Sequence, residues 1–156
     1  MAEIKTMKRK QVFFEDVEVG SEIPPITKKY NLMKMALFAS VHGDWCPGHY
    51  DHRSGMKALN NRSTPVAYGM QITTYCSQVL TDWISPNGAL KKYRSRTIAP
   101  TFPYDTLTIG GKVTKKYVKQ GENYVECDVW AEKQDGTVVG KASGTVTLPS
   151  RGTPSS

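Results

Sequence analysis

Long apolar runs are missing from this chain. None approaches the roughly 20 residues that a membrane-crossing helix needs, so no membrane partner is expected. The first ten residues, Met1 to Lys10, are basic and lack the apolar core of a secretory signal. Cysteine is scarce: the chain has three, an odd number and widely separated, which excludes a disulfide framework. That scarcity suits a reducing, cytoplasmic setting. Internal repeats are absent. There is no basic helix and no run of aromatics interleaved with arginines, so the formal charge of +7 predicts no nucleic-acid partner. The basic residues are scattered and read as a solvated surface, or as the recognition of a phosphate-bearing small molecule.

What remains is an ordinary globular composition. The chain's 156 residues suffice for one domain with its own core. Residues 1–10 read as a flexible basic arm, 11–149 as the domain and 150–156 as a flexible tail. Ser21 to Tyr30 contains Pro24-Pro25 and is predicted as an edge strand or an extended segment, since prolines cannot donate to a central ladder. Asn31 is placed to cap a helix from Leu32 to about Val41. The polar stretch from Asp51 to Pro65 is irregular, with a short helix expected around Gly55 to Leu59. Gly69 opens a segment in which Ile72, Tyr75, Cys76, Val79, Leu80 and Trp83 recur at helical spacing. It reads as a buried central helix. Four strands follow as an expected meander: 90–99, 106–118 with a bulge at Gly110-Gly111, 123–133, and 137–148 after the Asp135-Gly136 turn. Helices and strands are segregated. The class is therefore α+β, with an antiparallel sheet wrapped on the central helix.

All three histidines fall within residues 42–52, the stretch His42-Gly43-Asp44-Trp45-Cys46-Pro47-Gly48-His49-Tyr50-Asp51-His52. Pro47-Gly48 interrupts a helix here and makes a loop that can aim polar groups into a cleft. Three chemistries compete for it. His42, Cys46, His49 and His52 are ligand types that zinc takes, although no second Cys/His pair closes a structural site. Cys46 and His49 are the elements of a nucleophilic pair, although Cys46 reads more simply as a small, partly buried residue. Asp44 and His49 flank the bend and suit acid–base work on one water. A plainer reading has Asp44 capping the next turn and His49 as a satisfied polar residue. The residues alone leave these open.

The stretch from Gly43 to Asp51 resembles the signature G-D-x-N-P-x-H-x-D of the MaoC-like dehydratases, the (R)-specific enoyl-CoA hydratases. The resemblance extends to Thr64–Met70, similar to the family's Pro-(apolar)-x-H-G-(Met) segment, and to Phe102–Val113, similar to its "GDTL…GKV" strand. Lys133–Gly136 and Ala142–Pro149 follow in the same order, so that residues 12 to 149 are covered. The resemblance implies a single hotdog domain, a curved antiparallel sheet around a long helix, paired as a homodimer or a larger assembly of dimers. It implies reversible syn addition of water to a trans-2-enoyl thioester, giving the (R)-3-hydroxyacyl thioester. Asp44 and His49 would hold the water, and the amide of Gly69 would polarise the thioester carbonyl. Cys46 and Tyr68 would line the substrate, an acyl-CoA or acyl-carrier-protein thioester of lipid metabolism. Arg94 and Arg96 would face CoA phosphates. Neither cofactor nor metal is implied.

The sequence departs from the family at Cys46, where the family has Asn, and at Tyr68, where it has His. Gly48 is small where an aliphatic residue is usual. Two further functions stay open beside the hydratase: a non-catalytic or partner-dependent acyl-CoA-binding hotdog subunit, motivated by Cys46, and a hotdog thioesterase. In the hydratase reading His42 and His52 are bystanders, and Asp51 is a structural hydrogen-bonder.

Overall fold

A computed structural model describes residues 10–53 and 64–152. The short helix expected around Gly55 to Leu59 lies outside the described residues. Strand β1 (Glu22–Lys29) is followed by helix α1 (Leu32–His42), a 3-10 turn (Pro47–His49) and the long helix α2 (Gly69–Ile84). Strands β2 (Ala89–Thr97), β3 (Thr106–Lys119), β4 (Glu122–Lys133) and β5 (Val138–Thr147) complete the chain. They form one five-stranded antiparallel sheet in the order β1-β3-β4-β5-β2. No helix among the described residues is long and apolar enough to cross a membrane.

Local chemistry explains most element ends. Asn31 Oδ1 accepts the Lys34 N–H at 2.8 Å, satisfying one of the free donors at the start of α1. Gly43 closes the helix in the left-handed region at φ 77°, a conformation cheap only without a Cβ. Pro24-Pro25 falls where the β1–β3 register shifts, between Ile23 and Ile26, and β1 is an edge strand as expected. Asp135-Gly136 turns the chain from β4 to β5 with Gly136 at φ 82°.

Helix α2 buries Ile72, Cys76, Val79, Leu80 and Ile84 against Leu107, Ile109, Val125, Val129 and Val146 of the sheet. Its close seat depends on small residues opposite it. A Cβ at Gly144 would lie 2.3 Å from Leu80 Cδ1, and one at Gly140 would lie 2.9 Å from Ile72 Cγ2.

Two expectations need correction. The four late strands are not one meander: only β3, β4 and β5 are consecutive neighbours, while β2 pairs with β5 at the far rim. The connection after β2 carries Pro100 and Pro103 and cannot form a tight hairpin. It runs instead to the β1 side, where Tyr104 N–H donates to Tyr30 O and Tyr30 N–H donates to Asp105 O. The strands before and after α2 thus take opposite rims, and the sheet wraps the helix. The bulge also lies elsewhere. Gly110 and Gly111 pair in register with Trp130 and Val129, and the shift falls between Val113 and Lys115. These glycines serve close approach. A Cβ at Gly111 would be 3.0 Å from both Asp128 O and Ile23 Cδ1, and one at Gly110 would press on the Trp130 ring.

Candidate active site

The loop after α1 is built from main-chain bonds. Asp44 Oδ1 accepts the Cys46 N–H at 3.0 Å, a local bond across the bend that leads into the 3-10 turn, which itself has no side-chain cap. Proline at the head of the 3-10 turn loses no hydrogen bond. Within that turn Cys46 O accepts the His49 N–H at 3.0 Å, and Pro47 O accepts the Asp51 N–H at 2.8 Å. Buried Gly48 offers its carbonyl to the Val66 N–H at 3.0 Å, which ties the loop to the segment leading into α2. Asp51 holds the Arg53 N–H at 2.9 Å, in keeping with a structural role.

His49 is held on two sides. Its Nδ1 lies 2.6 Å from Val66 O, and a carbonyl can only accept. Nδ1 therefore carries the proton in the neutral ring, and Nε2 keeps a free lone pair. The ring stacks on Tyr68, with centroids 3.6 Å apart and planes 26° apart. Tyr68 is buried, and its hydroxyl donates to the main-chain carbonyl of Asp44. Burial first, then the nearby Asp44 charge, raises the phenol above its ordinary value and keeps it a donor. Phe38 and His42 complete the ring cluster around Tyr68, at 5.5 and 6.2 Å.

Gly69, next to Tyr68, begins α2. The first N–H groups of a helix have no partner inside it, and the dipole there favours developing negative charge. Thr97 at the end of β2 clasps this start, its Oγ1 donating to Gly69 O at 2.9 Å. A Cβ on Gly69 would meet that oxygen at 2.8 Å.

The structure thus brings together His49, Tyr68, Gly69 and the main chain of Asp44. The Asp44 carboxylate lies at the exposed lip of the group, bonded to Cys46 N–H. His52 is exposed, and Arg94 and Arg96 sit on the sheet face that looks away from α2. Among the described residues no three His, Cys, Asp or Glu side chains converge as metal ligands would. Val66, Thr97 and Phe38 were not singled out in the sequence. Their roles arise from pairings 17 to 30 residues apart in the chain, for which no local pattern exists. Gln71, buried in the first turn of α2, is a further polar residue of this region and donates to Tyr75 Oη at 3.3 Å.

Cys46 is exposed, not partly buried as expected, on a loop whose neighbours Asp44, Trp45 and Pro47 are exposed as well. Cys76 and Cys127 are buried, and desolvation pushes their thiols up to about 11 and about 12. The thiolate is the reactive form. At pH 8 a colorimetric thiol reagent should therefore titrate one cysteine in the native chain and all three in denaturant. Rapid reaction of two or more in the native state would contradict this burial.

The helix wrapped in a curved five-stranded sheet is the hotdog fold. Its structural neighbours are MaoC-like dehydratases and (R)-hydratases. The chain is similar to the (R)-hydratase PhaJ1 from Pseudomonas aeruginosa, with a TM-score of 0.78, 22% identity, and coverage of 90% of this chain and 88% of that one. It is similar to a MaoC-like dehydratase from Rhodospirillum rubrum, with a TM-score of 0.77, 20% identity, and coverage of 91% and 99%. A third neighbour is a chain in the crystal structure of the ChsH1-ChsH2 complex from Mycobacterium tuberculosis, with a TM-score of 0.70, 21% identity, and coverage of 84% of this chain and 98% of that one. No protein-family model and no curated protein sequence matches the chain.

Proposed function

We propose that this chain adds water reversibly to a trans-2-enoyl thioester, with CoA as the carrier, to give the (R)-3-hydroxyacyl thioester. The observation that carries the reading is the His49–Tyr68–Gly69 junction. A histidine with a fixed tautomer stacks on the residue that precedes the start of the central helix. A proton-transfer group and a carbonyl-polarising amide are thereby neighbours.

In this reading His49 Nε2 and the Asp44 carboxylate hold one water between them. As the water oxygen bonds C3, the pair removes one of its protons and delivers a proton to C2 from the same face. Negative charge moves to the thioester oxygen, where the Gly69 N–H and the dipole of α2 stabilise it. Tyr68 and Cys46 border the acyl group. As in the sequence reading, the chain acts as a homodimer or an assembly of dimers.

One observation favours a second reading. Asp44 is exposed, and Cys46 puts a thiol, a weak hydrogen-bonding group, where the family signature has Asn. A chain without that amide to orient the Asp44/His49 pair would serve as an acyl-CoA-binding subunit that needs an active partner. The ChsH1-ChsH2 neighbour itself comes from a complex of two differently named chains.

The test follows loss of enoyl absorbance with crotonyl-CoA and with longer and branched enoyl-CoAs, for the native chain and for Asp44→Asn. The hydratase reading expects turnover by the purified native chain and a loss of about 100-fold or more in the variant. Turnover that appears only after a partner is added favours the second reading. Release of free thiol from acyl-CoA would identify a thioesterase instead.

A further inference from the structure

The sheet face turned away from α2 carries its charges in columns. Strand pairing sets three rungs across β2, β5 and β4: Lys92–Thr145–Glu126, Arg94–Ser143–Asp128 and Arg96–Lys141–Trp130. The residues between these rungs, Tyr93, Ala142, Cys127 and Val129, pack in or against the core, so all three rungs point outward. The β2 column is therefore basic, and the β4 column is acidic with Trp130 at its end. The β5 column between them is small and polar apart from Lys141.

Within one chain these columns do not meet. Strands two apart in a sheet are separated by roughly 10 Å. No ion pair among the described residues includes Lys92, Arg94, Arg96, Glu126 or Asp128. A half-turn about an axis along β5 brings the columns together. It lays β2 of one copy over β4 of another and keeps every rung in register. Lys92 then meets Glu126 of the second copy, Arg94 meets Asp128, and Arg96 meets the half-exposed Trp130 ring as a cation–π partner. Symmetry makes each contact twice. Packed sheets keep their strand directions within about 30° of each other, which leaves the rungs matched. On the axis Thr145 and Ser143 face their own copies, and Lys141 faces Lys141. Strand β3 overhangs the rim, so Lys112 stays in solvent.

We propose that this face joins two copies of the chain back to back, with the two α2 helices on the outside. The arrangement gives Arg94 a carboxylate and Arg96 an indole as partners, in place of the CoA phosphates that the resemblance implies. It uses none of the side chains proposed for hydration. Three strands by three rungs cover about 15 by 20 Å, the small end of specific interfaces. The association is therefore weak, dependent on concentration and sensitive to salt.

Sedimentation velocity of the whole chain, from micromolar to millimolar concentration and at low and high salt, tests it. The native chain should pass from a smaller species to one of twice the mass, whether the smaller is a monomer or a dimer made through another face. Arg94→Asp and Asp128→Arg should each weaken this step about tenfold or more, since each sets like charges together twice. An equimolar mixture of the two variants should regain it, because every reversed charge then meets an opposite one across the axis. The double variant Arg94→Asp/Asp128→Arg should regain it for the same reason. Lys141→Ser should tighten it by removing the like charges on the axis. All three positions are exposed, so urea midpoints should stay near the native value and separate lost association from lost folding. No doubling across this range, doubling untouched by both single variants, or no recovery in the mixture would overturn the proposal. Unchanged doubling with a raised KM for crotonyl-CoA in Arg94→Asp would assign the face to a phosphate-bearing ligand instead.

Discussion

Under the proposed function, replacing His49 should lower hydration of crotonyl-CoA by about 10²- to 10⁴-fold, the range general acid–base catalysis supplies. Two variants separate chemistry from anchoring, because the two ring nitrogens have different tasks. Nδ1 holds the loop to Val66 O at 2.6 Å, while Nε2 has the lone pair that can take a proton. His49→Asn places an amide N–H close to the Nδ1 position and keeps the anchor, without a titratable nitrogen. His49→Gln reaches toward the Nε2 position and gives the anchor up, at a cost of about 1 kcal/mol in stability. Both variants lose the stacking of imidazole on Tyr68, so that loss cancels in the comparison. The proposed function expects both to lose turnover, with His49→Asn the more stable in urea unfolding. Near-native turnover by His49→Asn would reduce His49 to a loop anchor and end the mechanism.

The parts of this molecule legible in its sequence are those that local chemistry decides. Asn31 caps α1, Gly69 opens α2, Pro24-Pro25 marks an edge, and Asp135-Gly136 turns a hairpin, each through the backbone preferences of a few adjacent residues. The period of 3.6 from Ile72 to Leu80 likewise marked the face that α2 buries. The placement of β2 was not legible, because pairing with β3 or with β5 leaves the same alternating pattern on the strand. Gly110-Gly111 misled for a related reason: a glycine in a strand marks either a bulge or a close neighbour, and the neighbours Trp130 and Ile23 are remote in the chain. At the candidate site the motif put Asp44 and His49 on one loop, but the partners that orient them, Val66 and Tyr68, come from beyond the polar excursion. Cys46 shows the limit plainly. It is exposed along with its neighbours from Val41 to Pro47, a placement that residue type does not carry.

Gly69→Ala is the change whose sign runs against local preference. Alanine favours a helix over glycine by about 1 kcal/mol, so propensity alone expects stabilisation. The surroundings reverse it. The added Cβ would lie 2.8 Å from Thr97 Oγ1 and 3.3 Å from Thr97 Cβ. Rotating the threonine moves only the first of these atoms, and it breaks the bond from Oγ1 to Gly69 O at 2.9 Å. The start of α2 must therefore back away from β2, an overpacking strain of about 1–3 kcal/mol. That displacement also moves the N–H groups proposed to polarise the thioester carbonyl, where losing one well-placed donor lowers turnover by about 10²-fold or more. Thr97→Ala removes the nearer obstacle, so Gly69→Ala/Thr97→Ala should be more stable than the sum of the two single changes by about 1 kcal/mol. Urea unfolding of the four chains measures this coupling, and initial rates on crotonyl-CoA follow the same cycle. Additive stabilities would show that contact with Thr97 does not set the position of the helix. Coupled stabilities with turnover unchanged in Gly69→Ala would leave the contact real and remove the Gly69 amide from the proposed mechanism.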